Sequence, residues 1–203
     1  MVADGALQVG NIAGPQLLTI LCGALNGLGD EVRRRAGGQA TRDFLGVAYT
    51  NYVSPTTGGH SLLGVGSMLL GRNTATYRIW DGMRAIDYLQ SRPEVDPKRI
   101  GCTGNSGGGT LTSYLMALDE RILAAAPSCY LTSLRRLLET IGPQDAEQNI
   151  YHGILNGITH ADLLELRAPK PLLISSTTRD YFSIQGAMET YREVQMAYKA
   201  FGK

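Results

Sequence analysis

The sequence predicts an α/β fold, a mostly parallel sheet with helices on both faces. Three observations carry this. Apolar runs at 16–22, 99–103, 122–129 and 171–175 have the length of buried strands. Stretches with helical apolar spacing lie between them, most clearly over 76–90. A chain of 203 residues, 43% hydrophobic and 18% charged, has the size and composition of one globular domain, so 1–203 is read as a single domain.

Taken in order, Gln16 to Cys22 reads as a buried strand, followed by a loop over 23–27. Residues 30–44 read as a helix interrupted by Gly37-Gly38. Residues 45–53 alternate as a strand does and stop at Ser54-Pro55. The glycine-rich stretch 56–73 reads as a long loop with a short helical piece. Over 76–90, Ile79, Trp80, Met83, Ile86 and Leu89 form one apolar stripe that ends before Pro93. The turn Asp96-Pro97 precedes the strand at 99–103, and Leu111, Tyr114, Leu115 and Leu118 repeat at helical spacing over 110–118. A strand at 122–129 and an amphipathic piece at 131–140 follow. Residues 141–160 read as irregular, and 130–160 as a lid segment. The strand at 171–175 stops at Thr178-Arg179-Asp180, and a last helix covers 184–201.

Composition excludes several classes. The net charge is +1 with scattered Lys and Arg, so nothing favours nucleic acid or an anionic membrane as partner. Arg33-Arg34-Arg35 is the one basic cluster and reads as a solvated helix end. Cys22, Cys102 and Cys129 are odd in number, lack metal-ligand spacing and lie in or beside apolar runs. They read as buried free thiols in a reducing, cytoplasmic setting. No stretch reads as a membrane span or secretory leader, and nothing calls for a metal or cofactor.

The chemistry is concentrated at Gly104-Asn105-Ser106-Gly107-Gly108, which fits the G-x-S-x-G nucleophile elbow. In such an elbow the serine occupies a strained turn between strand and helix, with its hydroxyl held out. Glycines let the turn close, and the first helical N–H groups face the same spot. A chance glycine-rich turn has the same letters. Here the apolar run before it and the helical pattern after it supply the context the elbow requires.

A serine hydroxyl needs a base to take its proton and an acid to orient that base. Asp180, at the end of a buried run and ahead of a helix, is the candidate acid. Its alternative is a cap or turn residue. Asp162 and Glu165 are weaker candidates. The candidate bases are His60, His152 and His160, all before Asp180, whereas the usual order places the histidine after the acid. His160 is the tentative choice, set against a plain structural role. The candidate oxyanion donors are the N–H of Gly107 and one from the 23–27 loop, Ala24 first and Leu25 second.

From about Thr57 onward the sequence resembles the acetyl xylan esterase-like and dienelactone hydrolase-like branch of the α/β-hydrolase superfamily. The resemblance rests on Tyr77 through Leu89, Arg92 through Gly101, the elbow, Ala125 through Tyr130, His160 through Pro171, and Thr178 through Phe182. It implies an α/β-hydrolase fold, shortened at both ends, and a serine carboxylesterase acting on short-chain acyl esters, acetylated sugars among them. Ser106 would be the nucleophile and Asp180 the acid, without cofactor. Serine rather than cysteine at the elbow favours the esterase side. The resemblance also implies a structural role for His160. Two departures stand out. A loop that usually reads Cys-Gly-His is Cys22-Gly23-Ala24, and the segment carrying the terminal histidine is not seen.

Three explanations of the base therefore stand: a shortened chain, a base from a partner chain, or one of the three histidines. The alternative function is a catalytically impaired hydrolase-fold protein that binds a ligand, or self-associates through an exposed sheet edge. A peptidase or lactonase is the third reading.

Overall fold

The computed structural model describes residues 18–21, 64–144, 146 and 148–203. The helix expected at 30–44, the strand expected at 45–53, and Cys22, Ala24, Leu25 and His60 lie outside the described residues.

The described sheet has strands β1 (Leu18–Leu21), β2 (Ile100–Asn105) and β3 (Ile122–Ser128), in that spatial order and parallel throughout. Parallel neighbours require crossovers. Between β1 and β2 runs α1 (Thr74–Gln90), and between β2 and β3 runs α2 (Gly107–Leu118). A helical piece at 64–69 precedes α1. Residues 171–175 run beside β3, as expected, but not as a continuous strand. They touch it through isolated parallel bridges, Ala125 with Leu172 and Ser128 with Ser175. Pro171 helps to explain the interruption, because a proline nitrogen has no hydrogen to offer a ladder. Its carbonyl still accepts from the Ala125 N–H at 3.2 Å.

Beyond β3 lie α3 (Leu134–Thr140), α4 (His160–Glu165) and α5 (Ile184–Ala200). Side-chain caps set their starts: Ser133 accepts from Arg136 N–H, and Ser183 from Gly186 N–H. Thr159 and Asp162 form a reciprocal capping box on α4. Residues 141–144, 146 and 148–159 are irregular, as the sequence predicts.

The core lies between the sheet and these helices. Ile100, Cys102, Ile122 and Ala125 from the strands meet Ile86 of α1, Leu111 and Leu115 of α2, Leu164 of α4 and Val194 of α5. α2 is buried over nine consecutive residues, Gly108 to Met116, which is why its apolar pattern is nearly continuous. At its far end, Arg121 donates to Asp119 at 2.8 and 2.5 Å and to Asp87 of α1 at 2.6 Å, tying the α2–β3 turn to α1. The hydrogen bond from Arg121 holds the Asp119 carboxyl below the usual carboxylate range. No described helix is long and apolar enough to cross a membrane.

Candidate active site

β2 ends at Asn105, α2 begins at Gly107, and Ser106 is the single residue between them. Its backbone has φ 55° and ψ −118°, a region that L-residues rarely adopt. The turn is held on both sides. The Ser106 N–H donates to the Ser128 carbonyl at 2.9 Å, carrying the β2–β3 ladder one residue past the strand. The Ser106 carbonyl accepts from the Thr110 N–H at 2.9 Å, starting the helix. The residue is exposed, and its hydroxyl makes no capping bond to α2. Ser106 thus has a strained backbone held on both sides and an exposed side chain.

The glycines make this turn possible. A Cβ on Gly104 would stand 2.5 Å from the Gly108 carbonyl oxygen, and one on Gly109 would stand 2.5 Å from the Ser128 carbonyl oxygen. Both obstacles are backbone, so neither can swing aside. The N–H groups of Gly107, Gly108 and Gly109 precede the first intrahelical bond, made by Thr110. Gly107 alone of the three is not buried. Its N–H stands at the positive end of α2, next in the chain to Ser106.

Asp180 lies at the same edge of the sheet. The Cys129 N–H donates to the Ser175 carbonyl at 2.9 Å, so the segment leading to Asp180 sits two positions across the sheet from β2, roughly 10 Å at the usual strand spacing. Asp180 is half-buried. Its carboxylate accepts from the Phe182 N–H at 3.3 Å and the Thr177 N–H at 3.5 Å, which shapes the turn into α5.

His160 does not occupy a base's position, which corrects the tentative assignment. It opens α4 and is buried. Its Nδ1 accepts from the Thr132 backbone N–H at 3.2 Å, and its Nε2 lies 3.2 Å from Gln144 Oε1. The Thr132 donor fixes the tautomer: Nδ1 bears no hydrogen, so Nε2–H donates to Gln144. Both nitrogens are thus engaged, leaving none to take a proton from Ser106. Burial pushes the imidazole pKa down to about 4. The Tyr130 ring packs on it at 4.5 Å.

His152 sits on the exposed turn 151–157 with φ 58°, its ring stacked on Tyr151 at 3.9 Å. Asp162 is spent in the capping box, and burial together with the charges of Glu193 and Asp162 raises the Glu165 carboxyl. Neither Cys102 nor Cys129 is in a disulfide; the first is buried in β2, where its thiol donates to the Thr112 hydroxyl at 3.6 Å.

The sequence reading passed over Thr132 and Gln144. Their role depends on contacts with His160 across 28 and 16 residues, which no local pattern announces.

Methylesterase BT1017 superposes with a TM-score of 0.53 and 32% identity, over 64% of this chain and 29% of its own. A glucuronoyl esterase from Solibacter usitatus superposes with a TM-score of 0.53 and 22% identity, over 64% of this chain and 37% of its own. These likenesses establish the α/β-hydrolase fold. YtaP of Bacillus subtilis (strain 168), a hydrolase by name, is 27% identical over 151 residues, 64% of this chain and 50% of its own length. The chain therefore spans half the length of that relative. The acetyl xylan esterase (AXE1) family profile matches residues 35–157, more than half of the chain and including the elbow, so this protein belongs to the acetyl xylan esterase family.

Proposed function

We propose that the chain carries the nucleophile and acid of a serine carboxylic ester hydrolase acting on short-chain acyl esters, acetylated sugars foremost. The observation that carries this is the backbone of Ser106: positive φ, pinned at both ends, with the hydroxyl uncommitted to the helix. Strain of this kind persists because the surrounding structure holds it, and strained backbone of this sort clusters at functional sites. Family membership and esterase neighbours support the same class.

In this reading the Ser106 oxygen attacks the ester carbonyl carbon as a base takes its proton. The Gly107 N–H donates to the oxyanion. The alcohol departs with the proton, leaving an acyl group on Ser106, which water then removes. Asp180 orients the base, and the base is a group other than His160. Ser106→Ala tests the reading: hydrolysis of 4-nitrophenyl acetate should fall to background. Undiminished hydrolysis by the variant would refute it.

Two expectations join this proposal. Cys102 and Cys129, neither of them in a disulfide, support a reducing, cytoplasmic setting. Self-association through a sheet edge is supported by β1 and the 171–175 segment, which lack an outer strand partner among the described residues. A strictly monomeric mass by light scattering, at concentrations up to the millimolar range, would count against it.

A further inference from the structure

Residues 143–144 and 148–159 roof a half-open hollow of about 300 Å³ that neither Ser106 nor Asp180 borders. We propose that this hollow binds a small, neutral, apolar molecule bearing one acceptor oxygen, a ketone or ester carbonyl, and that the Gln144 amide NH2 is the donor that selects it.

The lining defines the ligand's body. Leu134, Leu137 and Leu138 of α3, Ile150 and Ile158 of the roof, and Leu163 of α4 supply an apolar wall. Among the described lining residues there is no Lys, Arg, Asp or Glu, and the ones that ordinarily titrate near neutral pH are His152 and His160; a charge buried there without a partner would be costly, which favours a neutral ligand. The volume is at the lower end of the range for small-molecule sites.

The polar group follows from a chain of constraints. The Thr132 N–H can only donate, so His160 Nδ1 must accept. His160 Nε2 must then carry the hydrogen and donate, and the Gln144 atom facing it must be the carbonyl oxygen. The orientation of the Gln144 amide is thereby settled, and its NH2 points away from the histidine. That nitrogen is buried and has no hydrogen-bond partner. The residue is 9% exposed and lines the hollow. A buried donor without an acceptor is an unusual feature in a folded protein and points to a partner.

The site is also held open. The Asn149 side-chain amide donates to the Gln144 carbonyl, and the Asn149 carbonyl accepts from Asn73 Nδ2 at 2.6 Å, at the cap of α1. The Tyr114 hydroxyl of α2 donates to the Gln148 carbonyl at 3.0 Å. The roof is thus tied to two helices of the main domain, and the donor is fixed before a ligand arrives.

The inference is independent of ester hydrolysis at Ser106. Its test is calorimetric or ligand-detected NMR titration with acetophenone and with ethylbenzene, which share a shape but differ in the carbonyl. Ethylbenzene is the more hydrophobic, so burial alone would favour it. The expected result is acetophenone binding roughly fivefold or more tightly than ethylbenzene. Gln144→Met, which keeps the length and removes the donor, should abolish that preference, while Ser106→Ala should leave it unchanged. Equal affinity, a preference for ethylbenzene, or binding of neither compound by the wild-type protein would overturn the proposal. So would a preference that survives in Gln144→Met. If Gln144→Met does not fold, the wild-type comparison decides alone.

Discussion

Gly104 and Gly108 approach so closely that a methyl group on the first would stand 2.5 Å from the carbonyl oxygen of the second. This contact closes the elbow, and it links a property of two glycines to the placement of Ser106. Gly104→Ala should force β2 and α2 apart. We expect a loss of about 1–3 kcal/mol in stability, the usual cost of overpacking, read from urea midpoints. An unchanged midpoint would show that the elbow is looser than this contact implies.

Asp180 offers a cleaner separation of fold from chemistry. Asp180→Asn retains one oxygen, which can keep the shorter bond from the Phe182 N–H at the cost of the 3.5 Å bond from the Thr177 N–H, so most of the turn should persist. If Asp180 orients the base, kcat should nonetheless fall by about 10⁴, as expected when a triad acid is neutralised. The check is kcat alongside Tm. A stable variant with wild-type kcat would reduce Asp180 to a turn residue.

His160 makes stability depend on pH. Its folded pKa is about 4 against an ordinary 6.5, so the folded state resists protonation and the unfolded state accepts it. Stability from this group is complete above pH 6.5 and is lost as pH falls from there toward about 4, by roughly 3 kcal/mol across the window. Urea midpoints at pH 7.5, 6 and 5 should show the decline, and His160→Gln should flatten it. An imidazole titrating near 6.5 by NMR would contradict the buried, doubly bonded ring.

The strand–elbow–helix unit was legible because every signal in it is local. Glycines flank Ser106, an apolar run precedes it and a helical stripe follows. The onset of α2 was less so. Its apolar spacing starts at Thr110, whereas the helix starts at Gly107, since three glycines carry no periodic signal. The stretch 171–175 read as a strand by its apolar run, yet only isolated bridges form there. The sequence left His160 open between a base and a structural residue for a different reason. A histidine near a sheet edge is ambiguous until its partners are known, and Thr132 and Gln144 reach it only through tertiary folding.

The central claim is that Ser106 is an activated nucleophile, and covalent labelling tests it most directly. The purified protein would be treated with a fluorophosphonate, its intact mass read and the adduct mapped by peptide sequencing. One adduct per chain is expected, on Ser106, and none in Ser106→Ala. An unmodified mass, or an adduct on any other residue, would contradict it.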